Sequence, residues 1–287
     1  MRLKDKLGDW SNASSEVEFQ GAWAQRVGEE GRGVATILEM VMLTRLDCML
    51  GSAAGMRMAL AQAMHHTRYR RAFGKVLVEQ PLMRNVLADL AIESEAALAL
   101  SMRVARAVDA APRVPSEAAF ARIATAIGKY WICKRAPAFV NEAQECLGGA
   151  GYVEESLLPR LYRQAPLNSI WEGSGNIQCL DVLRALQREP ESAEAFFAEL
   201  PNGLHTTLDI EVAWLRNAVR APDEGRARYL VERMALALQA ALLLTAGHPL
   251  AEAFCLTRLA GEHGLAFGTL PAGVAIDIAL ERALPAW

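Results

Sequence analysis

The stretch Ser-Ile-Trp-Glu-Gly-Ser-Gly-Asn-Ile-Gln, residues 169–178, sets one carboxylate, Glu172, between a tryptophan and a Gly-Ser-Gly turn. Asn176 to Arg184 has helical character, so Glu172 stands at or just before a helix start. A helix start favours a carboxylate, whereas Trp171 beside it would strip water from the same group. A carboxylate under such opposed influences suits proton abstraction. Gly173 and Gly175 lack the Cβ that keeps a ligand off the backbone. Ser174 and Asn176 offer donors to a phosphate or a cofactor ring at a helix N-terminus. An acidic cap on a structural helix is the commoner cause of such spacing, and spacing alone leaves both readings open.

Three further groups have chemical potential. Arg70, Arg71 and Lys75 surround Ala72, Phe73 and Gly74. Cations around an aromatic ring and a glycine turn suit a ligand that carries both phosphate and a ring. A solvated turn with Phe73 plugging the end of a helix bundle fits the same residues. In Glu145-Cys-Leu-Gly-Gly-Ala-Gly-Tyr152 the paired Gly148 and Gly149 either cap a helix or open backbone amides to a ligand. Arg45 and Asp47 interrupt an apolar helix, where unpaired charge is expensive. They pair across a bundle or face a ligand. The five cysteines are scattered without CxxC or CxxxH spacing, which argues against a metal site and for a reducing compartment. No Ser-His-Asp order, phosphate-binding loop or dinucleotide fingerprint is present.

The elements that must position these groups read as helices. Apolar residues make up 52 % of the 287 residues and aromatics 7 %, with Ala and Leu foremost, a composition that favours packed helices. Residues 1–26 differ: Glu16-Val-Glu-Phe19 alternates as a half-buried strand does, and two short strands are expected there. A long helix, apolar nearly all round and so buried, is predicted over 34–70. A second runs from Pro81 to about Val108, and a third from an N-cap at Ser116, with a kink at Pro137, to the Gly148-Gly149 pair. A fourth runs from Gly175 to about Gln187. These four make a four-helix bundle. Residues 153–174 read as irregular, and helices follow over 190–199, 205–220, 225–246 and 249–264. Three regions result: a two-strand segment over 1–26, a bundle over 27–188 and a helical extension over 189–287.

Net charge of −3 argues against whole-chain attraction to nucleic acid. No secretory leader is read at the start, and the longest apolar stretch, 234–247, is too short to cross a bilayer. A cytoplasmic protein is expected.

In order along the chain, Lys-Leu-Gly…Val-Glu-Phe, Thr44-Arg45, Arg70-x-x-Phe73-Gly74, Leu147-Gly-Gly-x-Gly-Tyr152 and Trp171-Glu-Gly-Ser-x-Asn-Ile-Gln178 resemble the C-terminal part of the acyl-CoA dehydrogenase family. The resemblance covers 1–188. Within the family the chain is most similar to the AidB-type adaptive-response subgroup, on Gln80-Pro-Leu-Met-Arg84, Ile132-Cys-Lys-Arg135, Glu154-Glu-Ser-Leu-Leu-Pro-Arg-Leu-Tyr-Arg163 and Cys179-Leu-Asp-Val-Leu-Arg184.

The resemblance implies an all-α bundle of the family's C-terminal type and a flavoprotein that dehydrogenates an acyl-CoA. Glu172 matches the base that removes the α-proton while the β-hydrogen leaves as hydride to FAD. Gly173 matches the close approach to substrate, and Arg45 a position near the acyl-CoA. Ser174, Gly175 and Asn176 match FAD contacts. Arg70, Arg71, Ala72, Phe73 and Gln80, and Glu145 with Gly148 and Gly149, match segments that reach FAD, in part that of a neighbouring subunit, so a homo-oligomer is implied. One branch carries its base just before the arginine; Thr44 stands there, which leaves Glu172 as the matched base. Glu145, Pro81, Met42 and Trp10 depart from the family's common residues. Full-length members have an N-terminal helical domain and a β-domain, and the chain aligns from the last two strands of that β-domain onward. An enzyme portion that needs its N-terminal half is therefore expected, with a DNA-protecting protein or an inactive fragment as alternatives.

Overall fold

The computed structural model describes residues 2–284. Among them are ten α-helices and two pairs of two-residue strands. Four long helices form the bundle: α1 (Gly33–Tyr69), α2 (Pro81–Ala110), α3 (Pro115–Glu145) and α5 (Gly175–Arg188). Cross-bundle contacts fix their directions. Ser52 Oγ reaches Cys133 Sγ at 3.3 Å, and Cys133 Sγ reaches the Cys48 carbonyl at 3.3 Å. Further along, Met56 faces Ala136 and Val140 across a cavity, so α1 and α3 run the same way. Arg122 of α3 meets both Asp181 at 3.0 Å and Glu189 at 3.2 Å. Tyr130 packs on Gly175, so α5 runs against α3.

The strands are minor. β1 (Arg2–Leu3) pairs with β2 (Ser15–Glu16), and Val17 and Phe19 are exposed outside the ladder. The expected strand over 16–19 is thus shorter and displaced, because no third strand or covering helix among the described residues buries its apolar face. β3 (Arg71–Ala72) and β4 (Lys75–Val76) form a hairpin between α1 and α2. Its turn residues, Phe73 and Gly74, have φ of 51° and 81°, the positive values a two-residue hairpin turn needs.

Helix starts at Pro81 and Gly175 agree with the sequence reading. At α3 the cap is Val114 with Pro115 in the first turn, not Ser116, since proline's fixed φ and missing N–H suit the first helical position. Pro137 lies inside α3 without ending it; Ala136, Phe139 and Val140 are buried on either side and hold the helix by packing. The central helix is α3, not α1. Burial on α1 begins at Leu46, while Val34, Ile37, Leu38, Met40 and Leu43 are exposed, because no described element lies over the first three turns. Two helices were not anticipated: α4 (Leu158–Gln164) and α10 (Ile276–Ala283).

After the bundle come α6 (Pro190–Ala198), α7 (Thr206–Ala218), α8 (Ala227–Thr245) and α9 (Ala251–Phe254), which runs into a π-turn over Cys255–Leu259. Their buried faces join one continuous apolar core with the bundle. An ion cluster ties the π-turn to α2. Arg258, almost fully buried, bonds Asp89, and meets Glu93 at 3.1 Å. Arg135 takes the other Glu93 oxygen at 2.9 Å, and the Gly268 amide donates to Asp89 at 2.9 Å. Burial alone would raise Glu93, but Arg135 and Arg258 hold it below the usual carboxylate range.

Removing one member of such a cluster leaves buried charge uncompensated. Arg258→Ala is expected to cost about 3–5 kcal/mol, read as a lower urea midpoint at unchanged slope.

Candidate active site

Glu172 lies in the link that enters α5, with a backbone φ of 58°. This left-handed conformation disfavours residues with a Cβ by about 1–2 kcal/mol. Gly173 follows at φ 97°. Buried donors from three helices hold this strained link. Arg45 Nε of α1 donates to the Glu172 carbonyl at 3.1 Å. Gln178 Nε2 of α5 donates to the carbonyls of Glu172 and Gly173 at 3.1 and 2.9 Å. Lys129 Nζ of α3 donates to those of Trp171 and Gly173 at 2.8 and 2.6 Å. Trp171 is fixed in turn: its indole N–H donates to Asn168 Oδ1 at 3.0 Å, and Asn168 Nδ2 donates to Ser52 Oγ at 3.1 Å.

The Glu172 side chain is half-buried. Its carboxylate receives no hydrogen bond and no ion pair among the described residues. Arg45 Nη1 pairs with Asp181 at 2.7 Å. Asp47 is exposed. Glycines at the link have different uses. A Cβ on Gly173 would stand 2.8 Å from Gln178 Nε2 and 3.0 Å from Ile177 Cγ2. Gly175 is buried, and a Cβ there would press on the Tyr130 ring at 3.3 Å, so its small size lets α5 dock on α3. Ser174, the N-cap, is exposed with its hydroxyl unused for capping. Asn176 is exposed, and its Oδ1 accepts from Arg228 Nε at 2.8 Å.

The remaining candidates lie elsewhere. Arg45 and Arg70 are 25 residues apart on one helix, about 37 Å along its axis. Lys129 and Glu145 are separated by about 24 Å along α3 in the same direction. Arg70, Arg71, Ala72 and Phe73 with Glu145, Gly148 and Gly149 therefore occupy the far end of the bundle. Phe73 is 99 % exposed and plugs nothing, since the positive-φ turn turns it outward. Arg71 Nη2 donates to the Gly74 carbonyl at 3.1 Å, and Gln80 Nε2 pins the hairpin through the Ala72 carbonyl at 3.1 Å. Glu145 accepts from Asn141 at 3.1 Å. Gly148, at φ 60°, and Gly149 face open space, which leaves their backbone accessible.

Beside Trp171 lies a cavity of about 220 Å³, lined by Gly51, Ser52, Gly55, Met56 and Asn168 among others. A dinucleotide needs more room than this: small-molecule pockets run to roughly 300–1,000 Å³. The free first-turn amides of α5, Ser174 and the open Gly148-Gly149 backbone fit an anionic, ring-bearing cofactor as donors. The cavity beside Trp171 does not enclose it. Among the described residues no His/Cys/Asp/Glu cluster could hold a metal. All five thiols are free and buried, and burial pushes Cys133 up to about 12.

Lys129, Gln178 and Asp181 were not singled out from sequence. Lys129 carried a usable signal: like Arg45, it interrupts an apolar helical run, Ala126-Ile-Gly-Lys-Tyr-Trp-Ile132.

The four-helix bundle thus presents one unpartnered carboxylate, Glu172, at the mouth of its last helix. The family model "Acyl-CoA dehydrogenase, C-terminal domain" matches residues 31–187, and the chain belongs to the acyl-CoA dehydrogenase family. It is 46 % identical over 268 residues to AidB of Escherichia coli (strain K12), covering 92 % of this chain and 49 % of that protein. The crystal structure of Caenorhabditis elegans ACDH-11 in complex with C11-CoA superposes with a TM-score of 0.81 at 26 % identity, over 100 % of this chain and 50 % of that one. An acyl-CoA dehydrogenase from Bacillus anthracis complexed with FAD shares the fold at a TM-score of 0.72 and 16 % identity, over 100 % of this chain and 60 % of that one. The chain spans about half the length of AidB and ACDH-11. No described helix is long and apolar enough to cross a membrane.

Gly173→Ala is expected to cost about 1–3 kcal/mol through strained φ and the clash with Gln178. Gly148→Ala, equally left-handed but unobstructed, should cost only about 1 kcal/mol. Thermal unfolding of the two variants measures the difference.

Proposed function

We propose that this chain supplies the proton-abstracting portion of an FAD-dependent dehydrogenation of an acyl-CoA. The observation that carries the reading is the Glu172 carboxylate, half-buried and without a partner, on a link whose carbonyls are held by Arg45, Lys129 and Gln178. A base must be free to take a proton and fixed in place to take the right one. Glu172 meets both conditions and would remove the proton α to the thioester carbonyl. Gly173 leaves room for the thioester beside it. FAD, when bound, supplies the hydride acceptor. On the face of α1 that carries Arg45, Leu38, Val41 and Met42 lie one to two turns before it. Leu38 is exposed and the other two half-buried, an apolar surface suited to an acyl chain.

FAD would be held by Ser174, Asn176 and the first-turn amides of α5 at one end. At the other end stand the Gly148-Gly149 backbone, Arg70, Arg71, Phe73, Gln80 and Glu145. Because these groups sit at opposite ends of one bundle, a single cofactor meets both sets only where two copies lie side by side. A homo-oligomer follows from this reading. A DNA-protecting role gains no specific support: Arg135 and Arg163, in two of the basic clusters, are engaged by Glu93 and Glu154.

In protein reconstituted to hold FAD and acyl-CoA, Glu172→Gln should slow anaerobic flavin bleaching by about 10²–10⁴ with acyl-CoA binding kept. Bleaching at the wild-type rate would remove Glu172 as the base.

A further inference from the structure

Lys129 is 1 % exposed and forms no ion pair with any described carboxylate. Burial pulls its ammonium below the ordinary lysine range, and a buried cation without a counter-charge is retained only where its hydrogen bonds compensate. Both of its bonds go to one place: the carbonyls of Trp171 and Gly173, the residues on either side of Glu172, at 2.8 and 2.6 Å. The carbonyl between them, that of Glu172, is taken by Arg45 and Gln178. Three consecutive carbonyls thus meet donors rooted in three different helices.

The donors are not equivalent. Arg45 and Gln178 share the Glu172 carbonyl, so either can be lost with the other in place. Gly173's carbonyl also has two donors, Lys129 and Gln178. The Trp171 carbonyl has no donor besides Lys129 among the described residues. An ammonium that bridges the residues before and after Glu172 restrains the torsions between them. Rotation of Glu172 from φ 58° towards the ordinary right-handed or extended regions would move the two carbonyls apart and break the bridge.

The geometry points to Lys129 as the positioning residue of Glu172: its ammonium staples the peptides on both sides and holds the base in a left-handed conformation it would not otherwise adopt. Lys129 acts on the backbone and touches neither substrate nor the carboxylate. The catalytic meaning of this role rests on Glu172 being the base; the conformational role does not.

Hydrogen–deuterium exchange on the full chain separates these. In Lys129→Met, exchange of the hydrogen-bonded amides of Ser169, Ile170, Trp171 and Gln178 should rise at least about tenfold, while α2 and α8 keep wild-type protection. Glu172→Gln should leave that exchange at the wild-type rate, because the staple holds backbone and not side chain. In the FAD-reconstituted protein, Lys129→Met should lower kcat for bleaching with little change in KM. Unchanged exchange of those four amides in a folded Lys129→Met overturns the proposal. So does a rise spread evenly over the bundle. If Lys129→Met does not fold, Lys129→Gln is read by the same criteria. Failure of both to fold assigns Lys129 to the core at large and also overturns it. Wild-type bleaching in Glu172→Gln, with the exchange result intact, would sink the base and leave the staple standing.

Discussion

Two cations sit inside an apolar bundle, Arg45 on α1 and Lys129 on α3, and a strip of irregular backbone runs between them. Each cation needs acceptors, because ion or amide groups removed from water without partners destabilise a fold by several kcal/mol. The strip needs donors, because its three carbonyls over 171–173 belong to no helix or sheet. These needs are complementary. The link entering α5 can lie against the bundle, in a conformation unfavourable for Glu172, because α1 and α3 present the charge it requires. Docking of α5 follows, since Gly175 meets Tyr130 and Asp181 meets both Arg45 and Arg122 at the same end.

The direction of the helices then decides what one chain can do. α1 and α3 run parallel, so the ends of both, the Arg70–Phe73 hairpin and the Glu145–Gly149 turn, emerge together, about 24–37 Å from Glu172. A rigid bundle cannot fold that distance away. Its two ends therefore cannot meet one small ligand within a single chain. The left-handed glycine at 148 and the outward-turned Phe73 are accessible features on an otherwise well-packed end.

Much of this was legible in the residues. Glycine and proline marked the helix limits at Pro81, Gly148 and Gly175, because their backbone constraints act locally and need no tertiary context. The family was visible from the order of motifs along the chain. What escaped was whatever depended on which face meets which. Gly175 has a packing role the sequence does not state, since a Cβ there would press on the Tyr130 ring. Arg45 reads as paired across the bundle or facing a ligand, and its partners, Asp181 and the Glu172 carbonyl, come from elements far off in sequence. Pro137 looked like a kink, and packing on either side carried the helix through. α1 looked buried throughout because its residues are apolar, but apolarity marks a surface that prefers cover and does not state what covers it.

The region after 188 illustrates the same limit from the other side. Its helices carry ordinary amphipathic patterns and would read as an appendage. Yet Arg258 reaches Asp89 and Glu93 of α2, and Arg135 of α3 completes the group. Charges buried in such a cluster cannot be parted without leaving uncompensated ions in the core. The extension is therefore bound to the bundle by electrostatic necessity as well as by shared apolar surface. It also holds α3 from the side opposite the link: α8 places Gln239 Oε1 on the Trp131 indole N–H at 3.2 Å, two residues from Lys129. A helix clamped on one face by α8 and the Arg258 cluster is a stiff platform for Lys129 on the other. The stiffness of the link at Glu172 thus draws on Gln239 and Arg258, 67 and 86 positions from it in sequence.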